Sequence, residues 1–389
     1  MSKNEKNNGL VYMYIPWTFD RLGGVDIIVD SIYSSFVKDG INVRIAEQTW
    51  ENYKTKNDDA GRQFVGVNFP TYINNCNVFA KVRNLLSYIK YFTISLYSLH
   101  ANNVKVINAH FPTKALFSVS LFKYLKLWNG RLILSFHGSD INDLCAHDRV
   151  WKFILNNSDN ITTCSYALKD KFKNNLKCSN YAITVIQNGV DINYLRKCSD
   201  NKKLAVNNKK DYIVCLANFV PHKGQDTIIK AFAQVLNIFP DIKLVLAGGK
   251  DNGTWLEILQ NMSDDLGISD SVSFQLNVPH EHVPNLLKNA RLLVLTSIFE
   301  SFGLVIAEAG ALRTPVVASN IGGIPEIISS DEYGLLVPVG DVSKTADAIC
   351  SLLLDEDKCE RLSANLFARI RNKFTVEGMV ARYKNIIIN

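Results

Sequence analysis

Long uncharged apolar runs are missing from this 389-residue chain. No stretch of about 18 such residues occurs, because Lys90 breaks the best candidate and Glu300 the next, so no membrane-spanning helix is expected. The first 17 residues have a polar head and an apolar part too short and too Pro-interrupted for a secretion signal. Eight cysteines are present, but none forms a C-x-x-C pair or a His-linked zinc spacing. Several, such as Cys164 and Cys215, fall inside apolar runs, so they read as reduced thiols of a cytoplasmic protein. No D-x-D pair stands in a loop suited to a divalent ion. An excess of one charge is also lacking: 43 basic against 37 acidic side chains leaves +6. That balance argues against nucleic acid as a partner and suits an anionic substrate or an acidic membrane surface.

What the chain does contain is alternation. Apolar runs of strand length take turns with longer helix-like segments, the pattern of an α/β protein with parallel sheets. About a dozen runs of this kind occur, more than the eight strands of a single α/β barrel, so two doubly wound domains are expected. Residues 51–62 read as a polar loop, and residues 196–210 (RKCSDNKKLAVNNKK) as a linker. The division expected is 1–197 for the first domain, 198–374 for the second, and 375–389 as a final helix.

The most informative stretch is 300–311, ESFGLVIAEAGA. It follows an apolar run, 291–297, that reads as a buried parallel strand, and it continues into strong helix formers from Leu304. The start of such a helix leaves N–H groups unsatisfied and positive dipole character exposed, which suits a phosphate. Glu308, one to two turns in, can accept hydrogen bonds from sugar hydroxyls, and Glu300 precedes the helix on the other side of Gly303. A diphosphate ester with a sugar at each end fits this layout. Lys223, at the head of a second helix (225–238), can add a point charge for a diphosphate. Gly23 and Gly24 open a helix over 25–38 and either let backbone approach a phosphate or make an ordinary tight turn. His137 follows the run 131–136 directly, at the carboxyl end of a strand where open α/β sheets bind ligands.

E-x-F-G-L-x-x-x-E-A at 300–309 resembles the signature of family 4 glycosyltransferases, retaining nucleotide-sugar enzymes of the GT-B fold. The other segments that match are HGSD at 137–140, NGVD at 188–191, PHKG at 221–224 and GGIPE at 322–326. The resemblance implies two Rossmann-like domains facing across a cleft, acceptor in the first and donor in the second, with the last helix crossing back to the first domain. It implies donor contacts from Gly23, Gly24, Asn218, Lys223, Val278, Ser301, Phe302, Gly303, Leu304, Val305 and Glu308. His137, Glu300 and Lys223 take the catalytic roles, with His137, Asp140 and Glu300 positioning the sugar. Asp140 could equally cap the turn that follows it. Many relatives carry an arginine where this chain has Asn218 or Val220, so diphosphate charge falls to Lys223 and backbone amides. No cofactor and no divalent metal is expected. Residues 78–100 mix aromatics with basic side chains and either face an acceptor or membrane, or pack as an amphipathic helix on their own sheet. The activity implied is hexosyl transfer from a nucleoside diphosphate sugar to a glycan or lipid-linked acceptor, in the cytoplasm or at the inner membrane surface. A sugar-nucleotide epimerase of the same fold and a non-catalytic nucleotide-binding subunit are the other readings.

Overall fold

The computed structural model describes residues 9–19, 23–49, 55–70, 78–177, 180–200, 211–249 and 253–388, without the side chains of 78–84. Two compact units emerge, Met1–Ile186 with Val380–Asn389, and Gln187–Met379.

Among the described residues, the first unit is built on an eight-stranded sheet ordered β3-β4-β2-β1-β5-β6-β7-β8. Its strands are β1 (Leu10–Ile15), β2 (Val43–Gln48), β3 (Thr55–Asn57), β4 (Gln63–Val67), β5 (Val104–His110), β6 (Arg131–Phe136), β7 (Asn160–Thr163) and β8 (Ile183–Val185). All pairs are parallel except β3–β4. β1 is buried along its whole length, and its neighbours β5 and β6 are buried except near their starts, as expected where helices cover both faces of a parallel sheet. The end of the chain belongs to this unit: Tyr383, in the helix Val376–Ile388, is buried against His110, and Arg131 donates to the Ile386 carbonyl at 2.7 Å.

The second unit holds six parallel strands ordered β11-β10-β9-β12-β13-β14. These are β9 (Tyr212–Leu216), β10 (Lys243–Gly248), β11 (Val272–Leu276), β12 (Leu292–Leu295), β13 (Val316–Ser319) and β14 (Leu335–Val337). The order reverses between β9 and β12, the kind of switch point outside which open sheets bind ligands. One apolar cluster under the sheet joins Ile213, Leu246, Leu292 and Val294 to Phe232 and Ile349 of the covering helices.

Two expectations need correction. Residues 55–57 are not loop: they form β3, an antiparallel edge strand on β4, and Asp58 closes the turn with an ion pair to Arg62 at 2.6 Å. The strand is exposed and polar, as an edge allows, with Lys56 paired to the buried Glu47 at 2.9 Å. Residues 196–199 are not linker either. They complete the helix Ile192–Ser199, capped by Asp191, whose carboxylate accepts from the Tyr194 amide at 2.9 Å. Residues 201–210 and 51–54 lie outside the described residues. No helix among the described residues is long and apolar enough to cross a membrane.

Candidate active site

In the second unit, the site grows from three loops that leave the carboxyl ends of β9, β12 and β13. The β12 loop ends at Gly303, which sits at φ +98°, a left-handed conformation that favours glycine. Gly303 offers no side chain to the first turn of the helix Leu304–Ala311, and the first amides to bond back to it are those of Ile306 and Ala307. The amides of Leu304 and Val305 precede that pair, so the helix start presents donors and dipole to an anion.

The β9 loop brings Lys223 to this place. Gly224, at φ +65°, lies so close to β12 that a Cβ would stand 2.1 Å from the Thr296 carbonyl oxygen, and the Thr296 hydroxyl donates to the Gly224 carbonyl at 2.7 Å. The docked loop places Lys223 Nζ 2.7 Å from Glu300 Oε2, with both side chains mostly buried. The β13 loop presses from the other side. A Cβ on Gly322 would stand 1.8 Å from the Glu300 carbonyl oxygen, and one on Gly323 would meet Ser301 O at 2.4 Å. The double glycine is thus required by the backbone of residues 300–301, which it fixes. Phe302 is only 2% exposed and rests edge-on against Phe374 at 5.7 Å, so its side chain anchors the loop from below.

Glu308 is carried inside this helix, 8% exposed, and burial pushes its carboxyl up to about 7. The folded protein therefore binds the Glu308 proton more tightly than the unfolded chain does. The associated stability is full below the ordinary carboxylate range and is lost as pH rises through about 7. Glu308→Gln should accordingly stabilise the unliganded protein at pH 8 by about 1–3 kcal/mol and change little at pH 5, measured by urea denaturation at both values. Equal effects at the two pH values would contradict the buried ionisation.

Asn218, in the β9 loop, accepts from Gln225 Nε2 on its carbonyl at 2.9 Å, and its side-chain Oδ1 lies 2.9 Å from where a Cβ on Gly249 would stand. Val278 follows β11; its amide donates to the Gly248 carbonyl at 3.3 Å, and it lines a cavity of about 260 Å³ with Gln275, Pro279 and His282.

In the first unit, His137 stands at the end of β6, half-buried and neutral, since burial lowers its pKa to about 4. Asp140 accepts from the His137 and Gly138 amides at 2.8 and 2.7 Å, fixing the backbone of that turn. Burial raises the Asp140 carboxyl to about 6 in spite of these amides. His137 Nε2 lies 2.9 Å from Nδ1 of His110, a buried histidine at the end of β5. In the sequence His110 is only the last residue of an apolar run; the register, which pairs it with Ser135, brings it beside His137. Gly23 caps the helix Gly24–Lys38, but its amide already donates to Asp26 Oδ2 at 3.0 Å.

The family model "Glycosyltransferase Family 4" matches residues 22–194, and "Glycosyl transferases group 1" matches residues 197–369. N-acetyl-alpha-D-glucosaminyl L-malate synthase of Bacillus anthracis is 28% identical over 291 residues, 73% of this chain and 74% of that protein. A GDP-mannose-dependent alpha-(1-6)-phosphatidylinositol monomannoside mannosyltransferase of Mycobacterium tuberculosis is 33% identical over 159 residues. That match spans 39% of this chain and 40% of the mannosyltransferase. The Anabaena protein Alr3699/HepE, solved in complex with UDP, superposes with a TM-score of 0.74 at 19% identity, covering 97% of this chain and 99% of that one. The chain belongs to the nucleotide-sugar glycosyltransferases of the family 4 type, enzymes of the GT-B fold.

Proposed function

We propose that this enzyme transfers a hexosyl unit, with retention of anomeric configuration, from a nucleoside diphosphate sugar to a glycan or lipid-linked acceptor in bacterial surface polysaccharide synthesis. The observation that carries the donor assignment is the helix start after Gly303, uncapped by any side chain, with Lys223 fixed beside it at Glu300. In this reading Glu308 holds the ribose hydroxyls, and Lys223 with the amides of Gly303, Leu304 and Val305 takes the diphosphate charge. That charge grows as the bond from sugar C1 to the diphosphate oxygen breaks. The acceptor oxygen bonds to C1 on the same face, and its proton passes to the departing diphosphate. Glu300 and His137 position the sugar, with Asp140 holding the His137 backbone. Lys223 can serve phosphate while it stays on Glu300, because an ammonium has three donors and Glu300 uses one. The backbone near Val278 and the adjacent cavity would take the base.

A UDP-sugar is the favoured donor, supported by the UDP complex of the Anabaena neighbour; GDP-mannose, which the mycobacterial relative uses, comes next. A peripheral place at the cytoplasmic face of the inner membrane is supported by Leu85, Leu86, Ile89 and Tyr97. All four are exposed on the helix Val78–Ala101.

The test is product analysis by NMR with UDP-, GDP- and ADP-sugars, with and without hydroxyl acceptors, before and after chelation. Expected are transfer with the donor's α configuration kept, slow hydrolysis without acceptor, and activity that survives the chelator. A rearranged sugar formed from donor alone would replace this reading with epimerisation, and strict dependence on added Mn²⁺ would overturn the metal-free leaving group.

A further inference from the structure

His137 is not held by packing alone. The His110 and His137 ring planes lie within 21° of parallel with centroids 5.1 Å apart, and His110 Nδ1 lies 2.9 Å from His137 Nε2. On its far side, His110 Nε2 lies 2.9 Å from the side-chain nitrogen of Asn108, which is also fully buried. An amide nitrogen only donates, so His110 Nε2 accepts. Met13 selects which end of the Asn108 amide faces His110, and the Ser135 hydroxyl is compatible with that choice. Met13 Sδ, a weak acceptor with no hydrogen to give, is 3.9 Å from the same nitrogen. The Asn108 oxygen in turn receives the Ser135 hydroxyl at 2.8 Å, and Ser135 Oγ receives that of Thr162 at 2.9 Å. Tyr383 closes the group, its ring 5.6 Å from His110.

A neutral imidazole that accepts on one nitrogen donates on the other, so His110 Nδ1–H donates to His137 Nε2. Both rings are neutral, because burial depresses each imidazole and a charge on either would oppose the other. His137, accepting on Nε2, therefore carries its own hydrogen on Nδ1.

We propose that His110 is a positioning residue whose Nδ1–H, oriented by Asn108, fixes His137 in the Nδ1–H tautomer and so makes it a hydrogen-bond donor to a substrate oxygen. This rests on the reading of His137 as the sugar-contacting residue, and it excludes that ring as a proton acceptor from a hydroxyl in the ground state. The sequence of donors runs one way, from the threonine to the histidine, and a partner that accepts is what its open end can bind.

The decisive measurement is long-range ¹H–¹⁵N NMR of the ligand-free protein labelled at its seven histidines, with His137→Gln to identify the His137 signals. The expected spectrum shows the Nδ1–H tautomer at His137. Finding the Nε2–H tautomer there would overturn the proposal, whatever the activity measurements give. In the second arm, His110→Phe should shift His137 toward the Nε2–H form and lower kcat by about 10-fold or more with the donor KM near wild type. His110→Asn, which returns a donor near Nδ1, should restore most of that loss. Wild-type kcat in a folded His110→Phe protein would refute the positioning role; if that variant does not fold, the wild-type spectrum decides alone.

Discussion

His137→Ala is expected to lower kcat by about 10² to 10⁴ while nucleotide affinity stays near wild type. The magnitude follows from how firmly the ring is held. Its backbone is fixed by Asp140, its Nε2 by His110, and its environment keeps it neutral, with a pKa of about 4. A neutral ring locked before substrate arrives spends little free energy on ordering and offers one hydrogen bond in a fixed direction, which is most effective where charge shifts in the transition state. Because the ring titrates near 4, its own protonation should not shape the rate between pH 6 and 8. Steady-state kinetics with saturating donor and acceptor give the answer. A variant that turns over at the wild-type rate would remove His137 from the reaction.

The second large effect is expected at Lys223. The family resemblance implies an arginine at positions held here by Asn218 and Val220, so in the proposed site the diphosphate charge falls to Lys223. Lys223→Met keeps the length of the stem and deletes the charge, and should lower kcat/KM for the donor by about 10² to 10³, in the range seen when a transition-state donor is lost. Part of any change could come from Glu300, which loses its 2.7 Å partner and is left with excess negative charge beside the diphosphate site. Lys223→Met with Glu300→Gln separates the two causes. If Lys223 acts on the diphosphate, neutralising Glu300 does not restore the rate; if its role is only to balance Glu300, the double variant recovers most of it. A Lys223→Met protein within about threefold of wild type would contradict the charge assignment.

The parallel strands and the segment 300–311 were legible in the sequence because burial on both faces demands uninterrupted apolar runs, and the polar residues that follow must lie at the carboxyl edge. β6 coincides with its apolar run, 131–136, and β12 falls within 291–297. β3 and β4 were not legible, since an edge strand can be short and polar and its pairing is decided by a partner rather than by its own residues. The short helices over Phe117–Tyr124, Arg149–Asn156 and Tyr166–Leu176 carried too few turns of periodicity to read.

Within the site, residue types were readable but partners were not. The Lys223–Glu300 pair joins positions 77 apart, and the Asn108–His110–His137 series depends on strand register. The glycines at 322 and 323 show the same limit. A double glycine permits close backbone approach without saying to what, and the structure identifies the partner as the carbonyls of residues 300 and 301.

The claim on which the donor assignment rests is that the helix Leu304–Ala311 receives a nucleoside diphosphate at its first turn and its ribose at Glu308. Calorimetric titration of the full chain with UDP, GDP and ADP tests it directly, comparing wild type with Glu308→Ala at pH 8, where the carboxylate is ionised. At least one nucleotide is expected to bind the wild type and to lose about 10- to 100-fold in affinity in the variant, the equivalent of one charged hydrogen bond. Equal affinity for wild type and variant, with a measurable Kd in both, would contradict the account.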